Sequence, residues 1–107
     1  MSAPREPIAL DQLREEDFAR RLGEKFRLRL PSGEALEMAL VEVAGHPHLP
    51  PAPGRRRGFT ITFRSDRPGH APQAIYRVEH DEIGAMDLFL VPIGPRDGGM
   101  CYDAVFN

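Results

Sequence analysis

A chain of 107 residues, 41% hydrophobic and 28% charged, has the size and composition of one globular domain, so a second domain is not expected. A formal net charge of −2 supplies no global attraction for nucleic acid. The longest apolar stretch, residues 86–93, is interrupted by Asp87 and falls far short of the roughly 20 residues of a bilayer helix, which excludes a membrane-spanning helix there.

The N-terminus, Met1 to Glu6, lacks the apolar run of a secretory signal, so a cytoplasmic location is expected, with export by a specialised machine as the alternative. The lone cysteine, Cys101, excludes an intrachain disulfide and leaves stability to packing. Residues 1–9 are expected to be flexible. Within residues 10–22, Leu10, Leu13, Phe18 and Leu22 allow one or two short helical turns. Glu15, Glu16 and Asp17 lie early in them, Arg20 and Arg21 late, and Gly23 follows as a stop. A helix of about two turns is too short to stand alone, so its Phe18 and Leu22 face must dock on apolar surface.

After Gly23 the period changes to two. Phe26, Leu28 and Leu30 alternate with Lys25, Arg27 and Arg29, the pattern of a strand with one buried face, and Pro31-Ser32-Gly33 turns the chain. Leu36, Met38 and Leu40 continue the alternation, but the apolar set then moves to Val41 and Val43, a phase slip that predicts a β-bulge near Leu40. Residues 45–58, rich in proline and carrying Arg55, Arg56 and Arg57, cannot join a ladder and read as a loop. Phe59, Ile61 and Phe63 then alternate with Thr60, Thr62 and Arg64 in the clearest strand of the chain.

Residues 65–72 read as a second polar loop. Ala74, Tyr76 and Val78 oppose Ile75, Arg77 and Glu79; Ile83-Gly84 marks a turn; Met86, Leu88 and Leu90 alternate with Asp87, Phe89 and Val91. Pro92 is expected to end that strand, residues 94–99 to turn, and Tyr102, Ala104 and Phe106 to form a closing strand. The fold class that follows is mainly β: a six-stranded antiparallel meander forming a small barrel or rolled sheet, with a short N-terminal helix over one end. A two-sheet sandwich is the rival.

Four strings stand out: FARRLGEKFRL at 18–28, FTITFRS at 59–65, YRVEHDEIGAMDLFLVPIGP at 76–95 and CYDAVFN at 101–107. Together they resemble a family of small bacterial proteins known only as a domain of unknown function, with the loops at 45–57 and 66–72 outside the resemblance. The resemblance implies a bacterial source, a stand-alone β-rich domain and a place beside phage-tail-like assemblies. It implies no catalytic residues and no cofactor.

Candidate sites therefore rest on residue chemistry. His46, His48, His70 and His80 suggest a metal, but no ligand-spacing motif supports one, and exposed loop histidines are the expectation. Tyr76, Glu79, His80 and Asp81 place an imidazole among carboxylates, suited to acid–base or small-ligand chemistry at a barrel mouth; the plainer reading is an acidic turn. Arg55, Arg56 and Arg57 form a basic run that would bind nucleic acid or an acidic partner, against a plainer reading as solvated loop charge. Cys101 reads as a small buried hydrophobe. Val41, Val43, Ile75, Phe89, Val91 and Val105 give several strands a second apolar face, which a helix or another chain must cover. The leading expectation is a non-enzymatic interaction or assembly module, with a protein partner or a homo-oligomer, and with strand edges able to accept a partner strand.

Overall fold

A computed structural model describes residues 6–46, 53, 58–67 and 71–107. A 3₁₀ turn (Leu10–Gln12) and a single-turn helix, α1 (Glu15–Ala19), precede the strands β1 (Lys25–Arg29), β2 (Ala35–Gly45), β3 (Phe59–Ser65), β4 (Ala74–His80), β5 (Gly84–Arg96) and β6 (Gly99–Phe106). The helix opens as its acidic first turn predicts: the Asp17 carboxylate accepts from the Arg14 backbone N–H at 2.9 Å, where it also faces the helix dipole. Gly23, at φ 88°, supplies the left-handed residue that ends this segment. Ordered structure begins before Leu10: the Ile8 N–H donates to the Ala85 carbonyl, and Ile8 packs against the core.

The strands close into an antiparallel barrel in the order β1-β2-β3-β6-β5-β4. Six strands, barrel and short helix are as the alternation predicts, and the sandwich is excluded. The connectivity differs from one continuous meander: β1-β2-β3 and β4-β5-β6 are two meanders, and β3 is paired with β6 rather than with β4. Because β4 lies beside β1, the chain between β3 and β4 must cross an end of the barrel, a fact that alternation cannot carry.

The inward residues make one core, and each end has its own lid. At the first end α1 inserts Phe18, fully buried, between Phe26, Phe59 and Phe106, with ring centroids at 6.4, 5.9 and 5.4 Å; Phe59 and Phe106 stack at 4.5 Å. Such pairs contribute roughly 0.5–1.5 kcal/mol each beyond area burial. Leu22 does not share the docking that its spacing from Phe18 predicts: the helix ends at Ala19, Leu22 is 51% exposed, and Leu13 fills the core position instead. At the other end the β3–β4 crossover is pinned by two tyrosines. The Tyr102 hydroxyl accepts from the Ala71 N–H at 2.9 Å, and the Tyr76 hydroxyl donates to the Pro72 carbonyl.

Two bulges set which side chains point out. The register slips between Leu40 and Glu42, as the phase change predicts, so Val41 stays outside while Val43, opposite the buried Ile61, turns inward and packs on the core. A second slip lies between Pro92 and Gly94. Here the expectation that Pro92 ends the strand is wrong: β5 runs through Pro92 and Pro95 to Arg96, paired with β6. Proline is tolerated because β4 begins opposite Leu90, leaving residues 91–96 paired on one side only. The turn is the two-residue Asp97-Gly98, with φ 52° and 83°, the positive-φ pair of a tight hairpin. Gly99 follows because a Cβ there would lie 2.5 Å from the Ser65 carbonyl oxygen.

Candidate interaction face

Outward side chains divide the barrel wall into two unlike halves. On β1 and the adjoining strands each outward cation meets a carboxylate: Lys25 with Glu37, Arg27 with Asp81, and Arg29 with Glu79. Such exposed pairs add little to stability, but they keep that half solvated and charged. Across β4, β5 and β6 the outward charges Arg77, Glu79, Asp87 and Asp103 are interspersed with large exposed apolar side chains instead.

The register builds this second half. Ile75 lies directly opposite Phe89, and the Val91–Asp103 pairing, carried two residues along each strand, sets Phe89 beside Val105. Ile75, Phe89 and Val105 are 70%, 50% and 58% exposed, with half-buried Val91 and exposed Ile93 along the same strand. One row therefore holds three large hydrophobic side chains facing solvent. Its border is already neutralised: Arg77 donates to Asp87 at 2.7 Å in the next row. Of the residues expected on a second face, Ile75, Phe89, Val91 and Val105 gather here. Val41 stands apart on β2, and Val43 belongs to the core. Ile93 escapes a reading of the sequence that stops the strand at Pro92.

Every strand of the closed barrel has two neighbours, so none is an edge along its whole length. Of the stretches paired on one side only, that of β5 carries Pro92 and Pro95, which lack the N–H a partner strand needs, while residues 42–45 of β2 pair with β3 alone. What the β4–β5–β6 wall itself offers is side chains.

The polar cluster expected from Tyr76, Glu79, His80 and Asp81 does not assemble. Strand alternation sends Tyr76 and His80 inward, four positions apart along β4, toward the crossover end and the helix end, while Glu79 and Asp81 point out to Arg29 and Arg27. His80 is buried against Phe26, with ring centroids at 4.5 Å. Its Nδ1 accepts from the backbone N–H groups of Glu82 and Ile83, at 3.1 and 3.2 Å, which places the ring proton on Nε2, 2.7 Å from Glu24 Oε1. This imidazole caps the β4–β5 turn and ties it to the segment entering β1. Glu24, His80 and Glu82 bring one ligand atom each within 4.8 Å of one another, yet both ring nitrogens are engaged, so the trio works as a brace rather than a cation cage.

The remaining candidates are dispersed. His46 shares a hydrogen bond with the Thr60 hydroxyl at 2.8 Å; His48, His70 and Arg55, Arg56 and Arg57 lie outside the described residues. Cys101 is fully buried although it sits on the outward side of β6, opposite Arg64 and Gly94. Burial pushes its thiol pKa up against the opposing pull of Arg96 and Arg64, so at neutral pH it is a protonated, inert thiol. Burial, with the neighbouring Tyr102, likewise raises the Tyr76 phenol. No described helix is long and apolar enough to cross a membrane.

A small closed antiparallel barrel, plugged at one end by a helix and at the other by a crossover, is the class of protein these features define. The chain belongs to the family described as domain of unknown function DUF6916, whose family model matches residues 13–106, with both long loops inside that span. No curated protein and no solved structure matched the chain significantly.

Proposed function

We propose that this chain is a non-enzymatic interaction or assembly module that docks through the outward side chains of β4, β5 and β6, with a second copy of the chain as the partner. The observation that carries this reading is the solvent-facing row of Ile75, Phe89 and Val105, set against the ion-paired wall around β1. Contiguous apolar surface of this kind marks interaction sites on soluble domains. A second copy suits the row because its border charges already have partners, Arg77 in Asp87 and Asp103 in the Thr62 hydroxyl, so an isologous contact sets apolar against apolar. An accessory part of a phage-tail-like or other bacterial multiprotein assembly is the setting that the family resemblance suggests for such a module.

A nucleic-acid role draws little support from the described arginines. Of the nine, all but Arg14 stand beside a carboxylate: Arg20, Arg21, Arg27, Arg29, Arg64, Arg67, Arg77 and Arg96. Light scattering on the purified chain across a concentration series tests the proposal. Self-association lost on substitution of Phe89 supports it; a strict monomer at every concentration overturns the second-copy reading.

A further inference from the structure

The crossover end of the barrel is closed less completely than the helix end. Between the β1–β2 turn, the end of β3 and the crossover lies a cavity of about 400 Å³, within the size range of small-molecule sites. Leu30, Leu36, Ala71 and Pro72 and the rings of Tyr76 and Tyr102 make most of its wall. Among the described residues that line it, Arg67 is the one that is charged, and none is a carboxylate.

We propose that this cavity binds a small amphipathic carboxylate, its aliphatic or aromatic body against Leu36, Tyr76 and Tyr102 and its carboxylate on the Arg67 guanidinium. A mainly apolar pocket whose described polar groups are one cation and the hydroxyls of Ser32, Ser65, Tyr76 and Tyr102 selects an apolar body with one negative end, and a guanidinium matches a carboxylate in a bidentate fork. Arg67 is held in place from the backbone: its N–H donates to the Ser65 hydroxyl at 3.1 Å. Its present partner, Glu34, stands 3.1 Å away in a half-exposed pair of the kind that contributes little, so a ligand carboxylate can replace it. A second polar anchor is built into the wall. The buried Tyr102 hydroxyl accepts from Ala71 but donates to no acceptor among the described residues, which leaves an O–H for the ligand. This site is separate from the β4–β5–β6 face, and neither proposal depends on the other.

The chain reports on this site directly, because it has no tryptophan and both of its tyrosines line the cavity. Titration of the full chain with hexanoate, followed by tyrosine fluorescence, should give a saturable change in the millimolar range or below. Hexylamine, with the same body and the opposite charge, should bind at least about tenfold more weakly. Arg67→Met should weaken hexanoate by at least about tenfold, Glu34→Gln should tighten it by freeing Arg67, and Phe89→Thr should leave it unchanged. Absence of a saturable response to hexanoate overturns the proposal. So does equal binding of hexylamine, or unaltered hexanoate binding in the folded Arg67→Met and Glu34→Gln variants.

Discussion

Replacing Phe89 with threonine separates association from folding. The ring of a phenylalanine offers roughly 150–250 Å² for burial, and Phe89 is 50% exposed, so about 100 Å² is available to a partner. At about 25 cal/mol per Å², covering that area is worth about 2.5 kcal/mol. In a two-fold contact the residue enters twice, for about 5 kcal/mol, and the methyl group that threonine keeps lowers the difference somewhat. Weakening of dimerisation by about a thousandfold is therefore the expected ceiling. Threonine retains strand preference, so the cost to folding should stay near 1 kcal/mol. Sedimentation velocity gives the dissociation constant and urea unfolding the stability, with Arg27→Gln, on the ion-paired half of the barrel, as the control. If the wild-type chain associates and Phe89→Thr associates equally well, the apolar row is not the contact and the reasoning fails.

Phe18→Ala should destabilise by about 3–5 kcal/mol, a large share of the roughly 5–15 kcal/mol typical of a domain, because a five-residue helix is held to the barrel by that ring; thermal unfolding will show it. Gly99→Ala should cost about 1–3 kcal/mol through collision with the Ser65 carbonyl, measurable by urea denaturation, while Gly33→Ala meets no neighbour and suffers only its positive φ. Raising the pH should destabilise the fold. Cys101 and Tyr76 both have raised folded-state pKa values, so their stabilising effect is full below the unfolded-state values. It is lost as pH climbs from about 9 upward, where the unfolded chain ionises first; melting temperatures across that range should fall less steeply for Cys101→Ala.

Local alternation was enough to read the strands, the bulge near Leu40 and the inward sets Phe26/Leu28, Phe59/Ile61/Phe63 and Tyr102/Ala104/Phe106, because a period of two decides which side chain faces a core regardless of what completes it. The same logic identified Ile75, Phe89 and Val105 as second-face residues. Pro92 misled because proline forbids only a two-sided ladder, and whether a strand segment has one neighbour or two is a property of the closed sheet. The Tyr76 to Asp81 string misled in another way: residues adjacent in a strand point to opposite faces and opposite ends, so nearness in sequence separated them in space. Which strands neighbour which was settled only by barrel closure, and with it the alignment of Ile75, Phe89 and Val105 into one row and the crossover that places Arg67 over Tyr76 and Tyr102. Pairing across a sheet depends on contacts between residues far apart in the chain, and no local pattern encodes them.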